Sequence, residues 1–182
     1  MKLDITFIPY LKREENAGVD EERLRWRVLA EAQKKQHEKK GSEIQRKMDP
    51  HIWYLRWDHT VKAIGKLGSN VIIAVSGDEV LGAVSYDEVQ RPHGGTEMKC
   101  FSLQKFGTIY PGRSLGENLI NELCKKAAKR DCGLHVVFHA DEKRLNKVYS
   151  DYGFKCVKDG RPHDMMGYLM TSEEVKSKVG RV

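Results

Sequence analysis

The chain of 182 residues has no apolar run approaching the ~20 residues that a membrane helix needs. Its opening, MKLDITFIPYLKREEN, lacks the apolar segment of a secretory leader. Neither a membrane protein nor an exported precursor is therefore expected. Cysteine is scarce: Cys100, Cys124, Cys132 and Cys156 are widely scattered and form no C-x-x-C pair. This argues against a zinc site or a disulfide framework and for a reducing, cytoplasmic setting. Internal repeats and low-complexity segments are missing. No Gly-Lys-Ser/Thr follows a glycine loop, which excludes a P-loop. Nor does an acidic residue fall where a dinucleotide-binding fold needs one after its first βα turn.

What is present fits one domain spanning residues 1–182, long enough to bury a real core. Apolar residues make up 40% and charged residues 32%, the balance of a globular chain with a polar surface. The formal charge is +6. Much of the excess lies in QKKQHEKKGSEIQRK, residues 33–47, with six Lys/Arg against two Glu. Without interleaved aromatics this stretch reads first as a solvated helix face, and only second as a surface for nucleic acid or an acidic protein.

The pattern along the chain alternates strands and helices. LDITFIP reads as a first strand, which Pro9 ends or leaves at an edge. Asp20, Glu21 and Glu22 place acids at the positive end of a helix running to Lys40 and stopping at Gly41. Ser42 and Gln45 form a capping box for a short second helix. Asp49 and Pro50 open a third, with Trp53, Trp57, Val61 and Ile64 along one face. The basic helical region thus covers residues 20–68. NVIIAVSGDEVLGAVSYDEV then reads as a hairpin about Ser76-Gly77-Asp78, RPHGGTE as a connection, and MKCFSLQKF as another strand. A helix to about Arg130 shares Leu119, Ile120, Leu123, Ala127 and Ala128 on one face. GLHVVFHA is a strand, and DEKRLNKVYSDYGF a helix with Leu145, Val148 and Tyr152 at helical spacing. FKCVKD and MMGYLMT close the chain as two strands. The expectation is an α/β (α+β) mixed sheet with helices packed on it.

The stretch YPGRSLGENLINEL sets small residues at the mouth of a helix. A helix start leaves amide groups unpaired and carries about half a positive charge, so small residues there let an anion reach the backbone. Gly112, Arg113, Ser114, Leu115, Gly116 and Glu117 would form such a phosphate seat.

These residues resemble the pyrophosphate loop of the GNAT N-acetyltransferase superfamily, Arg/Gln-x-x-Gly-x-Gly/Ala. On that pattern Pro111 stands at the Arg/Gln, Ser114 at the first glycine and Gly116 at the second. A second register takes Arg113 as the Arg, Gly116 as the first glycine and Asn118 as the second. VYSDYGF matches the end of the family's later motif with Tyr149, Gly153 and Phe154, while Glu142 and Leu145 stand where Asn and Ala are commoner. VIIAVSGDEVLGAVSY looks like the family's second and third strands, including Gly82. The resemblance covers about residues 70–170, preceded by an enlarged helical region.

It implies a GNAT-like acyl-CoA N-acyltransferase fold, acetyl-CoA as donor, and direct attack by an amine of a protein or small molecule, with no metal and no membrane. Phe106, Gly107 and Thr108 would offer backbone groups to the pantetheine and the thioester oxygen. Tyr149 matches the family's general acid. The base is Glu97 or His139. His135 and His139 fall on one strand face, a spacing that fits packing better than metal binding. Two other readings stay open: a GNAT-like protein that binds a partner without turnover, and a domain brought to nucleic acid by its basic helices. Monomer and homodimer are both compatible.

Overall fold

A computed structural model describes residues 4–11, 17–40, 50–66, 68–110, 114–139, 143–157 and 165–180. In chain order the elements are β1 (Thr6–Tyr10), α1 (Ala17–Lys40), α2 (Pro50–Gly65), β2 (Asn70–Ser76), β3 (Glu79–His93) and β4 (Thr96–Thr108). There follow α3 (Leu115–Lys129), β5 (Gly133–His139), α4 (Lys143–Asp151), β6 (Lys155–Val157), β7 (Met165–Met170) and α5 (Ser172–Val179). Hydrogen bonding orders the strands β1-β2-β3-β4-β5-β7-β6. β4 and β5 pair in parallel, whereas β1–β2, β2–β3, β5–β7 and β6–β7 are antiparallel. The mixed sheet expected from the alternating patterns is therefore present.

The chain divides into two compact units, Met1–Tyr86 with Gln104–Leu119, and Asp87–Leu103 with Ile120–Val182. In the first, β2 and the start of β3 supply an apolar floor: Val71 to Val75 and Val80 to Val84 are buried. Their near-continuous β-branched run suits strands covered on both faces. The hairpin turns at Gly77–Asp78, where Gly77 adopts φ +56°. Pro9 lies inside β1 opposite Ile72, and β1 is an edge strand, so the missing N–H breaks no inner ladder. From α2, Trp57, Thr60, Ala63 and Ile64 are fully buried. Trp57 thus belongs to the core, while the side chain of Trp53 lies outside the described residues.

Arg23 of α1 is also buried. Its Nε donates to the carbonyl of Ile64 at 2.5 Å, Nη1 to that of Ser69 at 3.2 Å, and Nη2 to that of Lys66. The Ile64 carbonyl is one that the last turn of α2 leaves without an intrahelical donor, and Lys66 and Ser69 follow the helix, so one guanidinium ties the helix end to the segment leading into β2. α1 begins at Ala17, three residues before the acidic start read from the sequence, and ends at Lys40 as expected. Gly41, the short helix from Ser42, and the Asp49 cap lie outside the described residues.

In the second unit two expectations are corrected. The segment 91–97 is no open connection: β3 runs through Arg91 and Pro92 to His93, and β4 starts at Thr96. The turn is Gly94–Gly95 alone, at φ +59° and +81°. Positive φ at both central residues matches the right-handed strand twist in a two-residue hairpin, and two glycines make it accessible. The chain does not close on strands either, because α5 follows β7. Thr171 accepts from the amide of Glu174 at 3.3 Å while the Glu174 carboxylate accepts from that of Thr171 at 2.8 Å. This is a capping box, and T-S-E-E carries its signature. From α3, which enters both units, Leu119, Ile120, Leu123 and Ala127 are fully buried and Ala128 is half-buried. No described helix is long and apolar enough to cross a membrane.

Candidate active site

The loop-facing end of β4 belongs to the first unit. Gly107 is wedged there: a Cβ on it would lie 2.6 Å from both the amide nitrogen and Oγ1 of Thr60, and 2.9 Å from the carbonyl oxygen of Arg56. Gly82 of β3 is pressed from the other side, with a Cβ meeting the Gly107 carbonyl at 2.7 Å and the Thr108 Cα at 3.2 Å. Only hydrogen fits at either position, so the strand end is held by backbone against backbone. Arg56 then reaches from α2 to donate, through Nη1, to both the carbonyl and Oγ1 of Thr108 at 3.1 Å. Beyond Thr108, the Ile109 amide donates to Leu81 at 2.8 Å, and the Tyr110 hydroxyl donates to Glu79.

Pro111, Gly112 and Arg113 lie outside the described residues. Ser114 is exposed, with φ +52°. That is the left-handed region, unfavourable by about 1–2 kcal/mol for a residue with a Cβ and free of that penalty for glycine. Ser114 is the position that the first register aligns with the family's first glycine. Gly116 and Asn118, the glycine positions of the second register, are inside α3, where a glycine's freedom has no use. The Asn118 amide donates to the Ser114 carbonyl at 2.8 Å, closing the first helical turn. The amides of Leu115, Gly116 and Glu117 belong to that turn and have no intrahelical acceptor. Leu115 is buried, Gly116 half-buried, and Glu117 exposed with its carboxylate in solvent.

Tyr149 belongs to the second unit. It is 5% exposed and sits among aromatic rings. Its centroid is 5.4 Å from Phe138 in a stacked pair, 5.5 Å from Phe154 and 6.4 Å from Tyr152 in edge contacts, and 6.4 Å from Tyr168. Leu145, Val148 and Tyr152, the apolar face read from the sequence, are only half-buried. The core-facing residue of α4 is Tyr149 itself. His135 is buried, with Nδ1 3.3 Å from Ser102 Oγ.

The two candidate bases separate. The parallel ladder pairs Cys100 with Gly133, so Glu97 lies three residues before the start of β5, and Phe138 lies five residues after it. Eight strand residues at ~3.3 Å each put about 26 Å between Glu97 and the Phe138–Tyr149 stack. Glu97 is exposed beside the Gly94–Gly95 turn, far along the strand from Tyr149. His139 follows Phe138 as the last residue of β5; its side chain lies outside the described residues. Among the described residues no group of three or more His, Cys, Asp or Glu is placed to hold a metal.

No protein-family sequence model and no curated protein sequence matches the chain. Solved structures do. A tyrosine-to-phenylalanine variant of the AtaT toxin, bound to the C-terminus of the antitoxin AtaR and acetyl-CoA, is similar at a TM-score of 0.58 and 11% identity, over 96% of this chain and 97% of that one. A putative GNAT-family acetyltransferase from Desulfovibrio desulfuricans gives 0.57 at 14% identity, over 92% and 99%. NAA60 of Arabidopsis thaliana in complex with acetyl-CoA gives 0.53 at 18% identity, over 92% and 98%. The chain has the fold of the GNAT acetyltransferases. The resemblance first carried by the loop and the tyrosine motif extends, as a fold, over more than nine-tenths of the sequence.

Proposed function

We propose that the protein is an N-acetyltransferase that moves an acetyl group from acetyl-CoA to an amine by direct attack. The observation that carries this reading is the behaviour of β4. It runs to Thr108 with Gly107 packed against α2, and α3 opens at Leu115 directly after the exposed, left-handed Ser114. A strand edge facing away from β3, followed by a helix start, is the arrangement an acyl-pantetheine and its diphosphate require.

The residues present fit that substrate. Ser114 is small, exposed and left-handed, and its hydroxyl can donate to a phosphate oxygen. The amides of Leu115, Gly116 and Glu117 face the same charge at the positive end of α3. Glu117 contributes its amide, its carboxylate staying hydrated. Gly112 and Arg113 would complete the seat. The Phe106–Gly107–Thr108 backbone would align the pantetheine. Acetyl-CoA supplies the activated thioester.

The amine nitrogen forms a bond to the acetyl carbon as the carbon–sulfur bond breaks. Tyr149 gives its hydroxyl proton to the leaving sulfur, and the amine gives its own proton to a base. His139, the last residue of β5, is the second candidate for that base. Tyr149, immobilised in its aromatic surround, has the fixed geometry that proton transfer needs.

The test is titration calorimetry with acetyl-CoA, followed by acetyl transfer to a panel of amines and peptides. Binding at micromolar to millimolar concentrations with turnover supports the reading, and Tyr149→Phe should then slow transfer about 100-fold or more while leaving the affinity for acetyl-CoA within twofold. Binding without turnover on any acceptor would instead favour a GNAT-like binding protein. An absence of binding at millimolar acetyl-CoA removes the transferase.

A further inference from the structure

We infer that Arg56 is a positioning residue for the acyl donor, acting through Thr108. The inference rests on the acetyltransferase reading and adds to it a residue in α2, outside the loop and tyrosine motifs.

Arg56 is half-buried, and its Nη1 is shared between the carbonyl and the hydroxyl of Thr108, each at 3.1 Å. The same helical turn is tied to itself, because Thr60 Oγ1 donates to the Arg56 carbonyl at 2.9 Å. That turn lies directly against the next strand residue, since both Thr60 and the Arg56 carbonyl occupy the space of a Gly107 Cβ. Side chain and main chain of one turn thus hold two consecutive residues of β4.

The edge on which this happens matters. Successive residues of a strand direct their N–H and C=O groups to opposite edges. The Ile109 amide bonds to Leu81, so Ile109 and Gly107 face β3, and Thr108 faces the opposite edge with Phe106. The carbonyl that Arg56 occupies is therefore on the edge assigned to the pantetheine. With that acceptor engaged by a guanidinium, the amides of an acyl-pantetheine have to take their register from strand residues before Thr108. Loss of Arg56 would return a competing acceptor to the edge and release the strand end from α2.

The experiment compares two ligands, acetyl-CoA and adenosine bisphosphate, the nucleotide half without the acyl arm. Arg56→Met keeps the aliphatic stem and removes the donors. It is expected to weaken acetyl-CoA about tenfold and to leave adenosine bisphosphate within twofold. Arg56→Lys, which restores a cationic donor, should recover part of the loss. Thr108→Val, which deletes only the hydroxyl acceptor, should fall between wild type and Arg56→Met. If Arg56→Met proves unstable, Arg56→Lys and Thr108→Val carry the comparison at two milder steps. Equal weakening of both ligands, or no weakening of either, overturns the positioning role while leaving the transferase intact. Failure of the wild-type protein to bind either ligand removes the acetyltransferase reading, and this inference with it.

Discussion

The ring of Phe138 lies against that of Tyr149 with centroids 5.4 Å apart and planes 20° from parallel. Tyr168 stacks on the same Phe138 ring, also at 5.4 Å and at 21°. A β5 side chain therefore sets the orientation of the proposed acid. Phe138→Leu keeps the site apolar but loses the flat contact. We expect about 1–2 kcal/mol of lost stability and a fall in kcat of about tenfold, with KM for acetyl-CoA changed less than twofold. Steady-state kinetics beside a urea titration checks this; an unaltered kcat would show that the stack does not orient the hydroxyl.

Ser114 holds a conformation that suits glycine. Ser114→Gly removes the left-handed penalty and adds back some unfolded-state entropy, so a net gain of up to about 1 kcal/mol is expected. Ser114→Val, β-branched at positive φ, should lose about 1–2 kcal/mol and weaken acetyl-CoA. Thermal unfolding with and without ligand distinguishes the two substitutions, and a Val variant as stable as wild type would contradict the assigned backbone.

Gly107 has no room for a methyl group. Its neighbours are backbone and a buried hydroxyl, which have no flexible end to move aside. Gly107→Ala should cost about 2–3 kcal/mol through displacement of α2 from β4. The chemical-denaturation midpoint measures it, and a loss under 0.5 kcal/mol would refute this packing.

Arg23 caps α2 from within the core. Arg23→Met takes a charged donor from the carbonyls of Ile64 and Ser69 in a buried setting, while the Lys66 carbonyl keeps the Ser69 amide. The expected loss is about 3 kcal/mol, with faster amide exchange confined first to the last turn of α2. Uniform exchange throughout the first unit would instead mean that Arg23 supports the whole core.

The thiols give a pH signature. Burial pushes Cys100 and Cys124 up to about 11, and burial likewise raises Cys132. Cys156 is exposed. At pH 8 a thiol reagent should modify one cysteine in the folded chain and four after denaturation. Because the folded-state values lie above the ordinary value of 9.0, their contribution is complete below pH 9 and is lost as pH rises from 9 towards 11. The urea midpoint should fall across that window, and Cys124→Ala should shrink the fall. A flat alkaline limb would argue that these thiols are not buried.

Local patterns in the sequence were enough to specify most elements. Alternation and β-branched runs marked β2 and β3, the apolar stripe marked α3, and Gly77 marked a turn, because each is decided by neighbours a few residues apart. The small residues at the start of α3 and the Tyr149 frame were legible for the same reason. The Gly94–Gly95 hairpin and the Thr171 capping box are also local signals, set by the position of two glycines and of Glu174 and not by composition.

Local pattern could not tell that Arg23 would be buried, that Arg56 would meet Thr108, or that Glu97 would lie at the far end of the ladder from Tyr149. Arg56 and Thr108 stand 52 residues apart in the chain, and Arg23 and Ile64 stand 41 apart. Charged residues on helices read as solvent-facing, because only the approach of a distant element supplies the carbonyls that make their burial favourable. The sequence by itself determined most of the strands and helices and where small residues meet a helix start. Tertiary structure decided which side chains hold the strand end and how far Glu97 lies from Tyr149, because ladder register and helix packing are fixed by contacts that no local period encodes.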